Sequence, residues 1–323
     1  MPDLTAIPLG VDPAQKPLHV LVICTHFPPL NRTGARRPYY LARQLRDEGH
    51  RVSVLTSAET DDTTWEVNLN GIQVMRCPHS FVQRDMRAWQ RWIAKAHNHF
   101  QGSIIHGPLR VLADVLLPLD HATRWDISVE EVEATIGPAD IVVSTGPAWS
   151  SFDFGRRLSR AWGSTFLIDY RDPWYVHLPE VGLHAVTWMG AGLSGKLRRM
   201  RMKRSERRII STAAGTTTAT EGLSRNISLA GAEPNCVVFN GFESRPKGSQ
   251  DTYRSGLHLI YTGQLYAEQE WDLVILAFEL LHDQHIEQAK QIKLILLGPR
   301  CVDPDLLSRI HACAERTGSI TFI

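Results

Sequence analysis

The segment Asp169-Tyr170-Arg171-Asp172-Pro173-Trp174 sets two carboxylates on either side of an arginine and follows them with a proline. A guanidinium can grip a carboxylate through two parallel hydrogen bonds. Arg171 therefore either orients one of the aspartates by a bidentate pair or forms a clasp that braces the loop. Asp172, on the sharp turn before Pro173, either does acid–base work or only braces Arg171. A second candidate is Thr33-Gly34 with Arg36 and Arg37, in the Pro- and Gly-rich stretch Thr25–Pro38. A glycine after the first strand of an α/β sheet lets backbone amides approach a phosphate at a helix N-terminus. The same residues also read as a solvated turn with flanking positive charge. A third is the run from Lys196 to Arg208, with eight Lys/Arg against one Glu, preceded by the apolar VTWMGAGL. Such a segment either lies on anionic lipid or is a solvated helix face.

The elements that must position these residues alternate. HVLVIC (His19–Cys24) reads as a buried parallel strand. A helix is expected to start near Pro38, with Tyr40, Leu41 and Leu45 on one face, and to end at Gly49. RVSVLTS (Arg51–Ser57) and GIQVMRC (Gly71–Cys77) follow as strands. The region from about Phe81 to Trp125 reads as a helical elaboration whose aromatics serve packing. Alternation resumes with strand Asp140–Gly146, helix Ser150–Gly163, and a strand that runs into the loop within Ser164–Trp174. Next come the basic helix Leu197–Arg208, strand Ala213–Thr220, the helix EGLSRNISLAG, and CVVFNGFE (Cys236–Glu243) as strand and turn. This order implies a doubly wound sheet with ligands at the carboxyl ends of its strands. The linker is rich in Gly, Ser and charge, and the pattern then restarts. HLIYTG, Ile292–Gly298 and Ser319–Ile323 are strands, and Glu270–His282 and Pro304–Arg316 are helices. The expected organisation is a flexible leader (1–17), a first domain (18–245), a linker (246–256) and the beginning of a second domain (257–323). A unit this small is a poor independent α/β domain, so the second domain is expected to be incomplete, the alternative being a short domain completed by a partner chain.

Composition removes several classes of function. With 323 residues, 43% hydrophobic and 21% charged, the chain suits two soluble domains. Its net charge of +1 is not that of a nucleic-acid binder. None of Cys24, Cys77, Cys236, Cys301 and Cys313 lies in a CxxC or Cys/His ligand set. Buried free thiols in a reducing compartment are expected, and no metal site. GxGxxG is absent, which argues against a nicotinamide dehydrogenase. The N-terminus lacks the pattern of a secretion signal, and no apolar run approaches the roughly 20 residues that span a bilayer. The expected location is the cytoplasm, with peripheral contact at the inner membrane face through Lys196–Arg208.

Several segments together resemble the retaining glycosyltransferases of the GT-B fold, near glycosyltransferase family 4 and its bacterial members with an RDPW segment. They are HVLVICTHFPPLNRTGARRPYYLARQLRDEGHRVSVLTS, IVVSTGPAWSSFDFGRRLSRAWGSTFLIDYRDPWY, VVFNGFE and LIYTGQLY, in that order. The resemblance covers nearly all of residues 19–323. It implies two Rossmann-like domains, the first for the acceptor and the second for a nucleotide-diphosphate-sugar donor. It implies sugar transfer with retention, no bound metal or other cofactor, and a glycan or lipid-linked acceptor in cell-envelope or exopolysaccharide synthesis. By position, Gly34 would face the donor diphosphate with Arg36 nearby. Arg171 and Asp172 would line the acceptor side as the catalytic candidates, and Asn240, Gly241 and Phe242 would form the hinge-side turn. Gly263 and Gln264 stand where many relatives carry a glycine and a basic residue for the phosphates, and Glu270 lies near a lysine position. The family's glutamate pair would lie beyond Ile323. A catalytically incomplete module that binds an acceptor or partner is therefore a second reading, and a nucleotide-sugar epimerase of the same architecture a third.

Overall fold

The computed structural model describes residues 16–30, 32–58, 64–78, 125, 127–146, 150–172, 192–241, 256–265, 270–284, 291–301 and 304–323. Most of the expected Phe81–Trp125 elaboration lies outside them, as do Pro173, Trp174 and Phe242. Trp125 is buried, and its ring stacks on Phe154 at 6.0 Å. The chain forms two compact units, Met1–Gly241 and Phe242–Ile323.

In the first unit the strands are β1 (His19–Ile23), β2 (Arg51–Ala58), β3 (Thr64–Leu69), β4 (Ile72–Pro78), β5 (Ile141–Gly146), β6 (Thr165–Tyr170), β7 (Gly215–Thr218) and β8 (Asn235–Val237). They form one sheet in the order β3-β4-β2-β1-β5-β6-β7-β8, parallel throughout except that β3 runs antiparallel to β4. β3 has no counterpart in the sequence reading. β1 is buried along its whole length because it lies mid-sheet with both faces covered. The winding reverses between β1 and β5, which makes their carboxyl ends the switch point where α/β sheets bind ligands.

Period-two alternation divides the strand side chains between two cores. Val20, Val22, Val52, Val54 and Val143 pack on one face, beneath α1 (Thr33–Asp47). Leu21, Ile23, Val142, Ile168 and Tyr170 pack on the other. That second face is covered by α2 (Val129–Ile136), α3 (Ser150–Trp162), α4 (Gly192–Ile210) and α5 (Glu221–Leu229). α2 was not read from the sequence, although Ser128 and Glu131 form a full capping box at its start. α3 approaches the sheet closely through Gly155, where an added Cβ would lie 2.0 Å from Ser144 Oγ.

Two expectations need correction. α1 begins at Thr33, so Pro38 lies inside the helix and not at its start. Proline there has no N–H to give the carbonyl four residues back, and that carbonyl, on Gly34, takes its hydrogen bond elsewhere, as described below. Cys24, Cys77 and Cys313 are buried free thiols, but Cys236 on the short edge strand β8 is exposed.

The second unit runs β9 (Leu257–Leu265), α6 (Trp271–Asp283), β10 (Ile292–Cys301), α7 (Pro304–Thr317) and β11 (Ile320–Phe322). The three strands are parallel in the order β11-β10-β9. α6 and α7 share one core with the sheet, around Trp271, Phe278, Leu294, Leu296, Leu306 and Ile310. Arg316 ties the two helices together, 3.2 Å from Glu279 and 2.6 Å from Asp283.

Candidate functional site

The carboxyl edge of the first sheet gathers side chains from α1, β6, β7 and the segment after β8. Asp169 and Arg171 share a parity, so both project toward the α1 side, while Tyr170 between them turns to the other core. There Tyr170 packs edge-on against Phe152, with ring centroids 4.9 Å apart, and its hydroxyl lies 3.4 Å from the buried Glu206 of α4. Burial first, and the Glu206 carboxylate second, push the Tyr170 phenol well above its ordinary range.

Asp169 is the centre of the cluster. Arg37 donates to it through Nε, 2.9 Å from Oδ2, and through Nη2, 2.6 Å from Oδ1. Thr217, its registered neighbour on β7, donates its hydroxyl to Oδ1 at 2.6 Å. The remaining guanidinium nitrogen, Nη1, reaches the Val238 carbonyl at 2.5 Å and Asn240 Oδ1 at 3.3 Å. The two charged side chains are 11% and 4% exposed, so this is an interior ion pair with its hydrogen bonds largely met. The bidentate pair expected at Arg171 is therefore made by Arg37. Arg171 is only 3.5 Å from Asp172 through a single nitrogen.

Arg171 instead donates from Nη1 to the Gly34 carbonyl at 2.8 Å. This carbonyl would accept the N–H of residue 38 in an uninterrupted helix, and Pro38 leaves it open. Gly34 also provides the room, because a Cβ there would lie 2.7 Å from Arg171 Nη1 and 3.1 Å from the His26 ring. His26 follows β1 at the switch point, and its Nδ1 is buried without a hydrogen-bond partner. Burial, then the positive charges of Arg32 and Arg171, hold His26 below the usual histidine range. Sequence reasoning did not single it out; its place just past the first strand was the available signal.

The structure thus brings Gly34, Arg171 and Asp172 together, with Asp172 outermost at 57% exposure. Asn240 joins through Arg37. Arg36 is on the exposed side of α1 and makes no hydrogen bond or ion pair among the described residues. Gly263 and Gln264 belong to the second unit, near the carboxyl end of β9. Gly263 has φ +134°, where the backbone favours glycine, and Gln264 pairs in register with Arg300. Among the described residues no group of three or more His, Cys, Asp or Glu is placed to hold a metal ion.

The profile of the glycosyl transferase 4-like domain matches residues 33–241, from the first residue of α1 to the last of the first unit. The chain belongs to the glycosyl transferase 4-like family. By family it is a glycosyltransferase. No curated protein sequence matches it. Solved structures with the same fold include sucrose-phosphate synthase from Thermosynechococcus elongatus, at 14% identity, covering 95% of this chain and 70% of that one, with a TM-score of 0.51. Trehalose 6-phosphate synthase from Burkholderia multivorans matches at 10% identity over 96% of this chain and 73% of its own, TM-score 0.52. An E. coli trehalose-6-phosphate structure bound with UDP-2-fluoro glucose matches at 11% identity over 94% and 73%, TM-score 0.53. The α/β, GT-B-like fold is common to this family member and those neighbours.

Proposed function

We propose that the protein transfers a sugar from a nucleotide-diphosphate sugar to a glycan or lipid-linked acceptor, with retention at the anomeric carbon, in the synthesis of a cell-envelope glycan or exopolysaccharide. The observation that carries this reading is the family match over 33–241, the residues that assemble the α1–β6–β8 junction. The neighbour bound with UDP-2-fluoro glucose supports a uridine diphosphate donor. In this reading the acceptor meets the first unit in the cytoplasm, at the carboxyl edge beside His26, Arg171 and Asp172. Asp172 is the exposed carboxylate there, and Arg171, held by the Gly34 carbonyl, positions the approach. The second unit takes the donor, with the backbone around Gly263 and Gln264 near its phosphates. Gly34 and Arg36, in the first turn of α1, offer an amide and a cation of the kind that binds phosphate. Charge developing on the leaving diphosphate is then stabilised by fixed donors that need no reorganisation.

The test is calorimetric titration of the chain with UDP-glucose and a panel of other nucleotide sugars. Transfer to a lipid-linked acceptor follows, with the anomeric configuration of the product read by NMR. Donor binding and a product of unchanged anomeric configuration are expected. If no nucleotide sugar in the panel binds and no nucleotide diphosphate is released, the reading fails. An inverted product would overturn retention alone.

A further inference from the structure

The basic run resolves into a helix with two incompatible faces. On α4 the positions Met202, Glu206, Ile209 and Ile210 recur at helical spacing and are buried in the first unit. The single acid of the run is therefore turned inward, next to the Tyr170 hydroxyl. What remains outside is cationic: Lys196, Arg201, Lys203, Arg204, Arg207 and Arg208 are all exposed. None of Lys196, Lys203, Arg204, Arg207 and Arg208 is in an ion pair among the described residues. At 3.6 residues per turn, Leu197, Met200 and Arg204 lie opposite the buried stripe, at the middle of the exposed face. Leu197 is 38% exposed and Met200 49%. The middle of the exposed face is therefore two apolar side chains on either side of Arg204, with further cations flanking them. It fits an anionic bilayer surface, where the side chains of Leu197 and Met200 enter the acyl boundary and the cations meet headgroups.

We propose that the exposed face of α4 is a docking surface for anionic phospholipid. A nucleic acid would satisfy the cations but would leave Leu197 and Met200 unexplained, and the chain as a whole carries only +1. Among the described residues no helix is long and apolar enough to cross a membrane. This inference stands whether or not sugar transfer is the activity.

The experiment is co-sedimentation of the full chain with phosphatidylcholine vesicles, with and without phosphatidylglycerol. Binding is expected only with phosphatidylglycerol. It should be lost as salt shortens the Debye length from about 10 Å at 0.1 M to about 3 Å at 1 M. Each juxtaposed cation contributes roughly fivefold, so the triple variant Lys203→Gln/Arg204→Gln/Arg207→Gln should bind about a hundredfold more weakly. Leu197→Ser/Met200→Ser should also weaken vesicle binding, with both variants keeping the thermal unfolding of the parent. No sedimentation with phosphatidylglycerol at low salt would overturn the proposal, as would equal binding of the triple variant. Vesicle binding untouched by Leu197→Ser/Met200→Ser, together with tight binding of an oligonucleotide, would assign the face to nucleic acid instead.

Discussion

Replacing Arg37 by alanine strips the interior carboxylate of Asp169 of three guanidinium contacts and leaves it only the Thr217 hydroxyl. Removing one partner of a buried pair costs about 3–5 kcal/mol, because the other charge stays in a poorly solvated place. The Val238 carbonyl and Asn240 also lose a donor, but both residues are exposed and water replaces it there at little cost. With a urea dependence of about 3 kcal/mol per molar for a unit of this size, the midpoint should fall by about 1–1.7 M. The assay is urea unfolding followed by circular dichroism, with hydrogen exchange at 238–241 as a local readout. Arg37→Met combined with Asp169→Leu removes both charges, and most of the lost midpoint should return. A shift below about 0.3 M for Arg37→Ala, or a double variant no better than the single one, would refute the claim that this is a desolvated pair.

Gly155→Ala should destabilise despite alanine's better helix propensity, since its Cβ would press on Ser144 Oγ and on the Phe166 ring, 2.9 Å away. A cost of about 1–3 kcal/mol by urea unfolding is expected, partly relieved by Ser144→Ala. His19, buried at the start of β1 between Pro138 O and Ser53 Oγ, has its pKa lowered, chiefly by burial. The unfolded chain therefore binds the extra proton more readily. Its contribution is full above pH about 6.5 and is lost as pH falls toward the folded value, and His19→Gln should flatten the urea midpoint over that window. Burial pushes the Cys24 thiol up to about 12, whereas Cys236 is exposed. Maleimide labelling of the native chain at pH 8 followed by peptide mapping should mark Cys236 and spare Cys24, Cys77 and Cys313 until denaturant is added.

The strands of the first sheet were legible because mid-sheet parallel strands are continuous apolar runs, as in HVLVIC and IVVSTG. β3 was not, since an antiparallel edge strand such as TWEVNL carries a mixed pattern. The start of α1 was misplaced because Pro38 reads locally as a helix beginning. What allows it inside the helix is Arg171, far away in sequence. The same distance explains the site. Asp169, Arg171 and Asp172 stand together in the chain, so the arginine nearest in sequence looked like the partner. The register Asp169–Thr217 and the lie of α1 instead bring Arg37 to Asp169. Likewise, the spacing of Lys196–Arg208 could not say which residues face the core. Met202, Ile209 and Ile210 fix that, and Glu206 goes inward with them.

The open carbonyl of Gly34 couples three positions into one evolutionary unit. A chain that exchanged Pro38 for alanine would close its own helix ladder and release the Arg171 guanidinium from its anchor. One that gave Gly34 a side chain would evict the guanidinium by volume. Each change is mild for the helix taken alone and alters a residue on a different segment, the turn that follows β6. Substitutions at 34, 38 and 171 should therefore be tolerated together far more readily than singly, and their double-mutant cycles should be strongly non-additive.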